Sequence, residues 1–282
     1  MLPAKPHPLI ELTPLKLPRL PAELVGLRIA QLTDLHVSRP RARYRALIKA
    51  VEELDADLIF LTGDYMSNPG DEPAAMKVLE AICEKLHPRL GTFGVFGNHD
   101  THTMRKLAEP LPVHWLNNDM HVIEGGAIEV HGFENERYKW PDTLRLVATA
   151  QERREQHQRS LHLTSDCDGS AAAPLRLLLS HYPNLLPVAS DLGMDLVFSG
   201  HTHGGQWRLP RRLALYTSCD LPSHLSAGVL RHRQTLGVVS RGLGETFIPL
   251  RILCPPHLPV FELHQGEMAQ AASQTIENVQ PW

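Results

Sequence analysis

The chain has 282 residues, 43% of them apolar and 21% charged, with a formal charge of −3 when the histidines are neutral. That length suffices to bury a sizeable core, and the composition is that of an ordinary globular protein. The balance excludes a chain-wide nucleic-acid or membrane-surface signature, and no apolar stretch approaches the ~20 residues of a membrane span.

Four scattered cysteines without a C-x-x-C indicate neither a thiolate zinc site nor a disulfide framework. Seventeen histidines against seven phenylalanines and four tryptophans favour metal chemistry without locating it. The first eight residues lack the basic start and apolar run of a signal peptide. These features point to a cytoplasmic protein, with peripheral contact at the inner face of a membrane left open.

Residues 1–23 are rich in proline and leucine and suit an extended N-terminal arm, or an edge strand around 9–12. Residues 27–33 alternate as a strand and end at Asp34-Leu35-His36. A helix follows over 41–54, with Ala46, Leu47, Ala50, Val51 and Leu54 on one face. The apolar run 57–61 is a second strand, ending at Gly63-Asp64. An amphipathic helix spans 72–86, with Pro73 in its tolerant first turn. A third strand, 92–96, ends at Gly97-Asn98-His99-Asp100.

After a short helix at 103–108 and a strand at 113–116, Gly125-Gly126 joins 121–124 and 127–131 as a hairpin. Residues 134–173 turn polar and then small, and read as an insertion, either a lid or a connector. The strand 175–179 ends at Ser180-His181. A helix covers 185–192, and the strand 195–199 runs into Gly200-His201-Thr202-His203-Gly204-Gly205-Gln206. Residues 207–235 read as loop-rich and basic. Residues 236–240 form a strand, 241–244 turn, and 247–253 with 260–263 close the fold. The main domain is 24–265, and 266–282 form a C-terminal tail.

Strands alternating with helices form sheets covered by helices, and ligands gather at the carboxyl ends of such strands. Five apolar runs here end in Asp34/His36, Asp64, Asn98/His99/Asp100, His181 and His201/His203. Taken alone, Asp34/His36, Asp64 and His181 read as ordinary turns or loop histidines, while Asn98/His99/Asp100 and His201/His203 read equally as site or loop. Their succession, each after a strand, carries the inference. The donors are oxygen and imidazole, with no thiol, which suits Mn²⁺, Fe²⁺ or Zn²⁺. They outnumber the needs of one four-coordinate zinc. A pair of metals sharing one carboxylate uses them all.

The blocks D-x-H, G-D, G-N-H-D, H and G-H-x-H resemble those of the calcineurin-like metallophosphoesterases, over roughly 27–263. The G-H-T-H-G-G-Q block, Ser240-Arg241-Gly242-Leu243-Gly244, Arg251 and Pro255-Pro256 are similar to a bacterial subgroup. That subgroup holds small phosphodiesterases and a type of UDP-2,3-diacylglucosamine pyrophosphatase. The resemblance implies an α/β fold, a four-layer αββα sandwich of two packed mixed sheets flanked by helices. It implies that Asp34, His36, Asp64 and His203 hold one divalent ion. Asp64 would bridge to a second, held with Asn98, His181 and His201. His99 would face the substrate.

Two positions depart from the pattern. Ser67 stands where some members have an aspartate supporting the catalytic histidine, and His257 where the subgroup usually has glutamate. Asp100 either supports His99 or caps the following turn.

Two ions about 3.5–4 Å apart can lower the pKa of a shared water and aim it at phosphorus. The expected reaction is therefore attack of a metal-bridging hydroxide on a phosphodiester or pyrophosphate. His99 stabilises charge or protonates the leaving oxygen. Arg208, Arg211 and Arg212 receive further phosphates, or else belong to a solvated basic loop. Leucines interleaved with them suit a lipid-linked substrate such as UDP-2,3-diacylglucosamine, or ordinary packing. No nucleic-acid partner is expected. The alternatives are a phosphomonoesterase or a non-catalytic metal-binding scaffold, and retention of His99 argues against the scaffold.

Overall fold

The computed structural model describes residues 7–39, 41–133, 152, 156, 159, 173–210, 213–266 and 275–282. In chain order the strands are β1 (Ile10–Leu17), β2 (Arg28–Leu32), β3 (Leu58–Thr62), β4 (Thr92–Val95), β5 (His114–Trp115), β6 (Asp119–Ile123), β7 (Ile128–Phe133), β8 (Leu175–Ser180), β9 (Leu196–Ser199), β10 (Arg208–Leu209), β11 (Leu213–Ala214), β12 (Gly228–His232), β13 (Thr235–Val239), β14 (Leu258–Gln265) and β15 (Glu277–Pro281). The longer helices are α1 (Ala42–Glu52), α2 (Glu72–Cys83), α3 (His102–Ala108) and α4 (Leu186–Asp191).

The apolar runs become central strands because both their faces are covered. In β3, Leu58 and Phe60 point into the space between two sheets, while Ile59 and Leu61 point toward α1 and α2. The first sheet runs β1-β14-β2-β3-β4-β5, and the second β15-β12-β13-β9-β8-β7-β6. Between them lies a core that includes Ile29, Phe60 and Phe93 from one side and Val130, Leu177 and Phe198 from the other. Helices α1 to α3 cover the outer face of the first sheet, and α4 covers Leu178, Val197 and Val239 of the second. Helix, sheet, sheet, helix is the four-layer arrangement expected.

Several segments differ from the sequence reading. The stretch 207–235 is not simply loop: it contains β10, β11 and the fully buried β12. Arg231 and His232 made β12 look like loop, yet Arg231 is buried with its guanidinium on Glu277 of β15. Conversely, 247–253 forms no strand despite its apolar content. The terminal residues supply β15, which pairs with β12, and β1 pairs along its whole length with β14. The proposed insertion at 134–173 lies almost wholly outside the described residues.

Candidate metal centre

β2, β3 and β4 are parallel neighbours, as are β8 and β9, so within each sheet their carboxyl ends lie together. Buried polar bonds join the two sheets at that end. Gln31 Nε2 donates to Thr62 Oγ1 at 2.8 Å and across to Ser199 O at 3.0 Å. His181 Nδ1–H reaches Thr62 O at 2.8 Å, and the His201 N–H donates to Asp34 Oδ1 at 3.0 Å.

The backbone there is bent to present side chains. Asp34, His36, Asp64, His201 and His203 all have positive φ, from 44° to 68°. Left-handed backbone costs a non-glycine residue of order 1–3 kcal/mol, and such positions cluster at functional sites. Glycine is required where the loops touch. A Cβ on Gly97 would lie 2.6 Å from Asp64 N, and one on Gly200 would overlap Thr33 Oγ1 and Asp34 Oδ2.

Three groups of donors converge: Asp34, His36 and His203; His36, Asp64 and His99; Asp64, His181 and His201. Asp64 Oδ2 lies 3.4 Å from His36 Nε2 and 3.1 Å from His181 Nε2, so one carboxylate is common to both ends. Asp34 Oδ1 is 3.4 Å from His203 Nε2. His36 Nε2 and His203 Nε2 are 3.0 Å apart, and His181 Nε2 and His201 Nδ1 are 3.3 Å apart.

The outer ring nitrogens explain this facing. His181 Nδ1 bonds Thr62 O, His201 Nε2 bonds Ser218 O at 2.8 Å, and His99 Nδ1 bonds Ser67 O at 2.5 Å. A carbonyl accepts only, so each of these nitrogens donates, and in the neutral ring the other nitrogen keeps its lone pair for a metal ion.

The charges are tightly linked. Burial alone would depress the His181 imidazole, but the Asp64 charge and hydrogen bond, with Asp34, push it up to about 9. Burial pushes Asp64 up, but the His181 charge and hydrogen bonds from His181 and His36 hold its carboxyl well below the usual range. Burial, helped by His181, pushes His201 down to about 4. A proton on His181 thus occupies the position for which a cation competes.

The donor set fits divalent ions. His181 Nε2 and His201 Nδ1 face each other at 3.3 Å, an arrangement satisfied by a shared proton or by a metal ion that replaces it. Asn98 Oδ1 is buried, with no hydrogen-bond partner among the described residues. A buried amide oxygen left so is costly, and coordination would satisfy it.

A cavity of ≈ 290 Å³ opens on Asp64, Asn98, His99, His201 and His203, and Tyr216 and Phe247 also line it. A second, of ≈ 250 Å³, is lined by His36, Arg41, Arg43, His99, Glu245 and Phe247 among others. His99 and Phe247 stand in both walls.

Not every expected residue is in the site. Asp100 does not touch the His99 ring. Its Oδ2 accepts the N–H of Asp64 and of Gly97, both at 2.8 Å, and its Oδ1 the N–H of Tyr65 at 2.8 Å. It clamps the backbone of two motif loops. Support for His99 comes instead from position 67, through the main-chain carbonyl rather than a carboxylate. Arg208 is no substrate ligand as folded here. It is buried, with Nε bonding Gly204 O at 2.5 Å and Nη1 bonding Trp282 O, so it fastens the histidine turn to the chain end. Arg211 and Arg212 lie outside the described residues. Arg41 and Arg43, in the second cavity, were not singled out. Their signal was the run of alternate arginines from 39 to 45, directly after the first motif.

Position 257, far from the motifs in sequence, meets them in space. The turn after β13 packs on the first motif: Leu243 N–H donates to Thr33 O at 3.1 Å and Gly244 N–H to Asp34 O at 2.6 Å. His257 holds that turn. Its Nε2 accepts the Arg241 N–H at 3.0 Å, and its Nδ1 donates to Glu11 Oε2 at 3.2 Å. Glu11 also pairs with the Arg241 guanidinium. Burial, offset in part by Glu11, pushes His257 down to about 4, so it is a neutral acceptor. Replacing it by alanine strands a buried N–H, at a cost of about 1–3 kcal/mol. We expect His257→Ala to weaken metal affinity roughly tenfold or more through Asp34. Metal titration followed by thermal melting checks this; unchanged affinity would show that the turn does not govern Asp34.

Similarity to known proteins agrees with the geometry. A metallophosphoesterase of Bacillus subtilis, YkuE, is 28% identical over 92% of this chain and 87% of its own length. The UDP-2,3-diacylglucosamine pyrophosphatase LpxG of Chlamydia trachomatis is 29% identical over 69% and 68%. The phosphodiesterase YaeI of Escherichia coli is 28% identical over 84% and 82%. Among solved structures, the NAD nucleotidase of Haemophilus influenzae superposes with a TM-score of 0.47 at 15% identity, over 77% of this chain and 45% of that one. Residues 27–205 match the calcineurin-like phosphoesterases, and the chain belongs to that family as a metallophosphoesterase.

Proposed function

We propose that the protein hydrolyses phosphodiester or pyrophosphate bonds with a pair of divalent ions. Asp34, His36, Asp64 and His203 would hold one, and Asp64, Asn98, His181 and His201 the other. The oxygen and imidazole donors favour Mn²⁺, Fe²⁺ or Zn²⁺. Bound ions of this kind supply an activated water and neutralise charge on phosphoryl oxygens.

The protein's own groups do the rest. Asp64 joins the two ends of the cluster. Asn98 brings an oxygen without a negative charge, which eases approach of an anionic ester. His99, fixed through Nδ1, turns its other nitrogen to developing charge or to the leaving oxygen. Arg41 and Arg43 stand on the far side of His99 for a second anionic group.

The observation that carries the preference for a diester or pyrophosphate is the pair of cavities meeting at His99. A phosphorus centre there has room for a substituent on each side. A lipid-linked nucleotide such as UDP-2,3-diacylglucosamine is the specific candidate, supported by the similarity to LpxG.

The test is metal-stripped protein reloaded with Mn²⁺, assayed on bis(p-nitrophenyl) phosphate and on p-nitrophenyl phosphate. We expect metal-dependent hydrolysis, faster on the diester. Hydrolysis of the monoester alone would make the protein a phosphatase, and two bound ions without turnover on either ester or on UDP-diacylglucosamine would make it a scaffold.

A further inference from the structure

Single exposed apolar side chains are ordinary, whereas contiguous patches mark contact surfaces. Among the described residues, thirteen large hydrophobics are exposed, and nine of them fall within 209–216 and 247–253. These two segments form one unit. Trp207 pairs with Ile252, and Trp207 Nε1–H donates to Leu250 O at 2.8 Å. Gln206, at the end of the histidine motif, donates through Nε2 to Thr246 O at 3.1 Å and Ile248 O at 2.9 Å.

The apolar side chains are held outward by this backbone. Phe247 is 86% exposed at φ 53°, and Leu253 is 65% exposed at φ 51°. Bulky residues in left-handed backbone are outliers, and burial does not repay them here. The unit also borders the reaction site, since Tyr216 and Phe247 line the cavity with Asp64 and His99. Beyond Phe247, Arg41 and Arg43 share the single carboxylate of Glu245, which leaves that wall with one net positive charge.

We propose that this double loop docks on the surface of a phospholipid bilayer containing anionic headgroups, so that the metal cavity opens at the lipid interface. The inference rests on the reading of a phosphoester carrying a lipid tail. No helix among the described residues is long and apolar enough to cross a membrane, so the loop would be a surface contact. A protein partner or a second copy seated on the unit would close the cavity that Tyr216 and Phe247 line. A bilayer covers the same side chains while presenting phosphoesters to the cavity, and its anionic headgroups complement the arginine wall.

The test is flotation of the full, metal-loaded chain with vesicles of equal parts phosphatidylglycerol and phosphatidylethanolamine. The comparison is Leu215→Ser/Leu250→Ser/Leu253→Ser, three exposed positions outside both cavity linings. Wild type should float, and the triple variant should partition at least about tenfold less. Hydrolysis of bis(p-nitrophenyl) phosphate in buffer should be equal in the two, which also shows that the variant folds. Wild type that stays in the aqueous fraction overturns the proposal, as does a variant that floats equally well. A wild-type dimer split by the substitutions would assign the patch to a second copy and overturn it too. Flotation requires no turnover and buffer hydrolysis requires no vesicle, so the docking and the activity fail separately.

Discussion

In the Asp64→Ala protein both ions should be lost and diester hydrolysis should fall to background. Among the described residues, Asp64 is the one carboxylate within 3.4 Å of His36 Nε2 and 3.1 Å of His181 Nε2. Its other oxygen accepts the His99 N–H at 2.8 Å. Removing it would take a shared ligand from both ends and leave the half-buried His99 N–H unbonded. Asp64→Asn separates these effects, because the amide oxygen can keep the His99 bond while the charge disappears.

Stability gives a second readout. Burial raises the Asp34 carboxyl, and the Asp64 charge adds to the rise, so without metal the two carboxylates oppose each other. That repulsion is outweighed by the pairing of Asp64 with His181, each holding the other charged, so both variants should be less stable than wild type even without metal. What should vanish is the stabilisation that a ligand confers on the folded state, about 2.7 kcal/mol at a hundredfold excess over its Kd. Added Mn²⁺ should raise the melting temperature of wild type and leave both variants unmoved. Metal content by mass spectrometry completes the test, and a variant keeping two ions and full rate would remove Asp64 from the bridging role.

The fold and the donors were legible for related reasons. β3, β4, β8 and β9 are covered on both faces, so each is written as a plain apolar run, and the donors sit within a few residues of the strand ends. Strand order was not legible, because β14 inserts between β1 and β2 through pairing across more than two hundred residues. β12 was hidden because its buried Arg231 is satisfied by a distant partner, Glu277, and 247–253 misled because its apolar side chains face outward. The supports of the site were hidden more deeply. His99 is oriented by the carbonyl of Ser67, and every residue has a carbonyl. Asp100 looked like a partner for the adjacent histidine, yet three backbone N–H groups from two loops use its oxygens. His257 acts through a turn that only folding brings beneath Asp34.

His99→Ala is the variant that separates chemistry from metal binding. His99 lines both cavities, and its backbone rather than its ring bonds Asp64. The substitution keeps that N–H, so both ions should remain while turnover falls by about 10²–10⁴. Burial, with His36 nearby, lowers the His99 imidazole below its ordinary range, against the opposing Asp64 charge and the weaker Ser67 carbonyl bond, and a carboxylate at position 67 would add to that opposition. Ser67→Asp should therefore raise it and move the pH dependence of the rate upward. The leaving group then identifies the role. If His99 protonates the leaving oxygen, its removal should hurt an alkyl ester far more than a p-nitrophenyl ester, whose phenolate departs without help. If it stabilises charge on the phosphoryl oxygens, both should slow alike. Loss of metal from His99→Ala would instead make His99 a ligand, within the donor group His36, Asp64 and His99.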